Sequence, residues 1–179
     1  MDNEDYFKRK FEFRDDKENF YDDNAERMIF FAKSALETVK KFGWPPHVIH
    51  CHGWMTSLIP LYLKTAYKKD PVFGYTKSIF TVQNDQFEES LNATFNKKAL
   101  VNTDMKEKDF ELYAPGTNEA LTLGAMKYAD VLVAGQADLN PTFKAELKPS
   151  RYKKIIQHDE NWTNDVTDLL ELYKTLTES

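Results

Sequence analysis

The chain has 179 residues, 41% of them apolar and 14% aromatic, enough for one hydrophobic core but short of a two-domain enzyme. Its net charge of -5 and pI near 5.4 argue against a nucleic-acid partner, because neutralising phosphates requires a clustered excess of Lys and Arg. The single cysteine, Cys51, precludes an intramolecular disulfide and fits a reducing compartment, and no apolar run reaches the ~18 residues of a membrane span. A soluble, cytoplasmic protein with no membrane partner is the expectation.

Residues 1–22 are dense in charge and aromatics, and Phe11-Glu12-Phe13 alternates as a short strand or hairpin edge would. Asp23 or Asn24 caps the next helix, where Met28, Phe31, Ala32, Ala35, Leu36 and Val39 share one face. Gly43 stops that helix, being free to take a left-handed conformation. A strand over 47–51, a helix over 53–68 and a strand over 77–83 make a parallel crossover unit, expected to be right-handed. Segment 85–116 carries the weakest pattern, with a short helix predicted around 87–95 and an exposed loop around 113–116. Asn118 opens a helix through Tyr128, and 130–134 reads as a buried strand. A short helix follows over 140–147, with Pro141 in the first turn, where its missing donor costs nothing. Residues 151–157 are predicted as a last strand. The end of the chain, 165–177, is an amphipathic helix with Val166, Leu169, Leu170 and Tyr173 on one face.

The most informative stretch is Val48-Ile49-His50-Cys51-His52-Gly53-Trp54-Met55-Thr56, a strand that turns directly into a helix. Ligands of α/β sheets bind at the carboxyl ends of strands, which makes these side chains candidates for chemistry. Alternation sends His50 and His52 to one side and Cys51 to the other. A metal site would need a third ligand, and neither His47 nor His158 completes a zinc spacing, so no metal is assigned. Cys51, pointing away from both histidines, reads as a small core residue, and no catalytic residue is assigned. The histidines either bond backbone groups at the turn or, for His52, face a ligand. Gly53 allows a conformation that a side chain would oppose and opens the helix N-terminus toward anions such as a sugar phosphate. Trp54 either stacks on a sugar or packs against the adjoining helix. Gln83 and Asn84 end the next strand, and their amides offer both donors and acceptors to hydroxyls. Asp85, Glu88 and Glu89 read as a solvated helix start favoured by the macrodipole.

Several ordered blocks together resemble the N-terminal domain of bacterial glycogen (starch) synthases, glycosyltransferase family 5. They are Gly43-Trp44-Pro45-Pro46, then His50 to Thr56, then Pro60-Leu61-Tyr62-Leu63, then Thr81-Val82-Gln83-Asn84, and last Ala129-Asp130 with its following strand. The resemblance covers roughly the middle two-thirds of the chain. It implies a Rossmann-like α/β fold, a three-layer parallel sheet flanked by helices, forming part of the N-terminal half of a GT-B glycosyltransferase. It also implies glucosyl transfer from ADP-glucose to an α-1,4-glucan without a metal or other cofactor, with His50, His52, Gly53, Trp54, Gln83 and Asn84 as substrate-binding residues.

The sequence departs from the family at informative places. Met55 stands where the family has a donor-contacting histidine, Gly53 where it has Asp, and Gln83 where it has His. The family's first strand with its Lys-x-Gly-Gly-Leu loop has no counterpart, nor has the C-terminal donor-binding domain. Residues 1–179 therefore read as one partial domain, expected to be inactive as an isolated chain. The competing reading is a non-catalytic glucan-binding or regulatory module that associates with a full-length synthase. An edge exposed by the missing strand would favour a homo-oligomer.

Overall fold

A computed structural model of the chain describes residues 4–84, 87–150, 153–163 and 165–178. A short helix α1 (Glu4–Phe7) precedes the long helix α2 (Asn24–Lys41), whose Ala25, Met28, Ile29, Ala32 and Leu36 are buried at helical spacing. Gly43, at φ 61, ends α2 as its position predicts, its N–H donating to the Lys40 carbonyl. The alternating Phe11-Glu12-Phe13 segment forms no strand. Its neighbourhood makes only an isolated antiparallel bridge between Arg14 and Phe20.

Strands β1 (Val48–His52), β2 (Lys77–Val82), β3 (Val131–Ala134) and β4 (Lys154–Ile156) form one parallel sheet in the order β1-β2-β3-β4. Between them lie α3 (Leu58–Lys64), α4 (Phe95–Ala99), α5 (Asn118–Tyr128) and α6 (Pro141–Glu146), and α7 (Thr167–Thr177) ends the chain. Each strand adds to the same side of the one before, which puts successive crossover helices on one face of the sheet. That face holds the main core, where Cys51, Phe80, Val82 and Leu132 meet Leu36 of α2, Leu58 and Leu61 of α3, Leu121 of α5 and Phe143 of α6. The other face carries a smaller cluster of Ile79, Val131, Val133 and Leu172, the last from α7. The predicted α/β sheet between two helical layers is thus observed, with layers of unequal thickness.

Three boundaries differ from the sequence expectation. The helix predicted over 53–68 is broken: a 3-10 turn at Trp54–Thr56 leads into α3, which stops at Lys64. Residue 65 takes φ -126, ψ -85, outside the helical region, and Tyr67 donates its N–H to the Tyr62 carbonyl in a wider turn. The helix predicted around 87–95 forms later, at Phe95–Ala99, because Asn92 turns the chain there by accepting from the Thr94 N–H. The last strand is only Lys154–Ile156, and its predicted start at Arg151 lies outside the described residues.

Asp130 fixes the junction of α5 and β3. One carboxylate oxygen meets Lys64 Nζ at 2.6 Å, and the other accepts from the Ser78 N–H and hydroxyl at 2.8 and 3.0 Å. A single side chain thereby ties the start of β3 to the start of β2 and the end of α3. This explains physically why Ala129-Asp130 stands before the strand.

Candidate functional site

The strand register sets the candidate crevice. His50 lies opposite Ile79 and His52 opposite Thr81, with Val133 next to Thr81 on β3, so all five share the α7 face. Cys51 lies opposite Phe80 on the face of the main core. The predicted separation of the histidines from the cysteine is therefore present.

His50 is half-buried and bound at both nitrogens. Nδ1 is 2.5 Å from the Tyr173 hydroxyl of α7, and Nε2 is 2.8 Å from the Thr81 hydroxyl. Burial, aided by the neighbouring charge of His52, pushes its pKa from 6.5 down to about 4. It is thus neutral at physiological pH, one nitrogen donating and the other accepting. The His52 ring stacks on His50 with centroids 4.1 Å apart, yet His52 itself is exposed, with its pKa lowered by partial burial. Of the two roles left open by the sequence, His50 takes the structural one, bonded to side chains rather than to backbone. His52 is the histidine presented to solvent at the strand end.

Gly53 adopts φ 72, ψ 168, a region that is essentially restricted to glycine. It swings the chain into the 3-10 turn and buries Trp54, which is 3% exposed. The indole packs edge-on against Phe13 and Phe87, with centroids 6.2 and 5.3 Å away. Trp54 therefore takes the packing alternative, holding the N-terminal segment rather than offering a face to a sugar. The N–H groups of Thr56 and Ser57 are already donated to the carbonyls of Gly53 and Trp54, and the Thr56 hydroxyl donates to the carbonyls of His52 and Gly53. The predicted helix does not begin at Gly53: a 3-10 turn stands there, and α3 begins only at Leu58.

Cys51 is buried, and its thiol pKa is pushed up to about 12 by that burial. A thiol so held stays protonated and unreactive.

At the end of β2, Gln83 is exposed, whereas Asn84 is a bracket. The Asn84 N–H donates to Gln136 Oε1 at 3.1 Å, its Nδ2 donates to the Asp138 carbonyl at 3.0 Å, and its Oδ1 accepts from the Asn140 N–H at 2.7 Å. The amide expected to bind hydroxyls is thus committed to fixing the loop between β3 and α6. Glu89, read as part of a solvated acidic start, makes a bidentate pair with Arg14 at 2.7 and 2.8 Å. Glu88 is exposed, and Asp85 lies outside the described residues. No helix starts among residues 87–94, so the predicted helix start is not formed there.

Sequence reasoning missed Thr81, Tyr173 and Gln136. Tyr173 lies on the predicted apolar face of the last helix, but nothing local marks its partner 123 residues away.

The sequence matches the family described as the starch synthase catalytic domain over residues 1–154. The chain belongs to that family. Among curated relatives, it is 35% identical over 137 residues to a glycogen synthase of Desulforudis audaxviator, covering 74% of this chain and 25% of the relative. A Chlorobium limicola glycogen synthase is 37% identical over 132 residues, covering 73% and 26%. The catalytic domain of Arabidopsis thaliana starch synthase IV, solved bound to ADP and acarbose, has a similar fold, with TM-score 0.50 and 16% identity over 76% of this chain and 30% of that one. The chain spans about a quarter of the length of these bacterial relatives. Within it lies a glycogen synthase-like glycosyltransferase domain region, as the resemblance implied. Among the described residues, no helix is long and apolar enough to cross a membrane.

Proposed function

We propose that this chain supplies the glucan-holding side of a glycogen synthase-type glucosyltransferase, binding an α-1,4-glucan at the carboxyl ends of β1 and β2. The observation that carries this reading is that the exposed strand-end side chains, His52 and Gln83, are uncharged groups that both donate and accept. Such groups match sugar hydroxyls better than the pyrophosphate of a sugar nucleotide, which demands fixed positive charge. His50, Gly53, Trp54 and Asn84 act one layer behind, keeping His52 and Gln83 in place.

Transfer from ADP-glucose would need charge stabilisation of the departing nucleotide. Met55 stands at the family's donor-contacting position, Gly53 and Gln83 also depart from the family's pattern, and the isolated chain is expected to bind glucan without turnover. Its single buried cysteine accords with a cytoplasmic location.

Co-sedimentation of the purified chain with glycogen tests the reading. Binding is expected, and His52→Ala with Gln83→Ala should weaken it about tenfold. Absence of binding by the unmodified chain would refute the proposal. Incorporation of glucose from ADP-glucose by the chain alone would refute the expected lack of turnover.

The same departures favour a second reading, a non-catalytic regulatory module. β1 forms one margin of the described sheet, and a margin of this kind can add a strand from a second copy or from a separate synthase. A change in a full-length synthase's activity on adding this chain would select that reading. Light scattering would distinguish self-association from a monomer.

A further inference from the structure

The thin face of the sheet carries one helix, α7, with Trp162 from the turn after β4 beside it. A helix ~10–12 Å across cannot cover four strands ~4.8 Å apart, and a parallel sheet is ordinarily covered on both faces. α7 sits toward β1, where Tyr173 meets His50, and its Leu172 joins Ile79, Val131 and Val133. The shortfall falls on β4. There a groove of about 720 Å³ runs between α7 and the segment after β4.

Strand and helix periods give this groove an apolar floor and acidic walls. Ile156 lies opposite Val133 on the α7 face, while Ile155 points into the main core, so Ile156 and Leu172 form the floor. On the helix side, Asp168, Glu171, Leu172 and Thr175 recur at i, i+3, i+4 and i+7, a single stripe ~10 Å long. The neighbouring stripe of Leu169, Tyr173 and Leu176 is the one packed on the sheet. The opposite wall brings Asp159 and Glu160. Asp159 accepts the Asn161 N–H, and none of the four carboxylates forms an ion pair among the described residues. Lys154 is the only lysine or arginine in the lining. Like charges on facing walls repel, and a cationic occupant relieves that repulsion.

We propose that the groove between α7 and β4 docks a basic amphipathic helix of a partner protein, its apolar face on Ile156 and Leu172 and its lysines or arginines between the two acidic walls. Helix-in-groove recognition uses this combination, an apolar floor for side chains at i, i+3, i+4 and i+7 with charged rims that fix orientation. The docked helix lies beside α7 and completes the second helical layer over β4. The walls oppose an anionic partner, phosphate-rich ones included. The family match ends at residue 154, where the lining of the groove begins. This surface is therefore independent of the glucan-holding reading, and either can fail without the other.

The test is an NMR titration of the isotope-labelled full chain with a peptide of lysine and leucine, ~14 residues or four turns long, patterned as an amphipathic helix. Its counterpart with glutamate in place of lysine is titrated in parallel. The lysine peptide is expected to shift the methyl signals of Ile156 and Leu172 and to gain helical circular dichroism on binding. Glu160→Gln with Glu171→Gln, both at exposed side chains, should weaken that binding about fivefold with Tm unchanged, and added salt should weaken it as well. Asp168 is left in place because its charge favours the first turn of α7. Equal binding of the glutamate peptide, shifts confined to other surfaces, undiminished affinity in the double variant, or no response at all would each overturn the proposal. Shifts at Ile156 without a gain in helix would overturn the helical form of the partner. Shifts there that grow with protein concentration in the absence of peptide would overturn the partner assignment in favour of a second copy of this chain.

Discussion

The hydroxyl of Tyr173, in the last helix, lies 2.5 Å from Nδ1 of His50, in the first strand, joining residues 123 positions apart. Beside it, Leu172 is buried on the thin face of the sheet, contributing about 1.5–3 kcal/mol by burial, and the hydroxyl contact adds direction to that apolar adhesion. Tyr173→Phe keeps the ring and removes the hydrogen bond. The expected loss is about 0.5–1.5 kcal/mol, read as a Tm lower by roughly 2–5 °C. An unchanged melting curve would show that α7 is held by apolar contact alone.

Burial of the same imidazole predicts a pH dependence. His50 is held neutral, its pKa displaced from 6.5 to about 4, so between these values the unfolded chain binds the extra proton. Stability from this group is complete above about pH 6.5 and is lost as pH falls toward 4. Because the ring is partly solvent-screened, its share is roughly 1–2 kcal/mol. Urea midpoints at pH 7 and pH 4.5 should differ less in His50→Gln than in the unmodified chain. The carboxylates lose stabilising interactions in both proteins, so only the difference reports His50.

Gly53→Ala forces a side chain into φ 72, ψ 168, at a cost of about 1–3 kcal/mol. Relief of that strain would rotate the turn and displace both His52 and Trp54. The variant should therefore melt earlier and also bind glycogen less well by co-sedimentation. A stable variant with full binding would contradict the positioning role.

Asp130→Ala should be among the costlier exposed-to-core changes. It removes the Lys64 ion pair and leaves the Ser78 N–H, on a residue with no exposed surface, without its carboxylate acceptor. The expected destabilisation is about 2–3 kcal/mol by chemical denaturation.

Gly124 sits in α5 under the ring of Tyr113. An added Cβ would lie 2.4 Å from Tyr113 Cζ, and that fully buried ring is fixed by its hydroxyl bond to the Ser57 carbonyl and by stacking on Phe110. Alanine would gain about 1 kcal/mol of helix propensity, but the clash outweighs it. Gly124→Ala is expected to destabilise by a net ~1–2 kcal/mol, whereas a gain in Tm would mean that the ring can move.

By itself, the sequence determined whatever follows from local period and local chemistry. The two-residue period of 48–52 put His50 and His52 opposite Cys51, the helical spacing of Met28, Ala32 and Leu36 marked the buried face of α2, and Gly43 marked its end. The ordered blocks around Trp54, Gln83 and Asp130, each at a strand end or strand start, identified the family.

Only the tertiary structure decided which of the marked side chains remain available. Trp54 and Asn84 have the right chemistry for a sugar, yet Phe87 and Phe13 occupy the first and the loop after β3 engages the second. Tyr173 fixes His50 from the far end of the chain. Such assignments depend on contacts between distant segments, and neither the strand period nor the helical period carries information about a partner more than a hundred residues away.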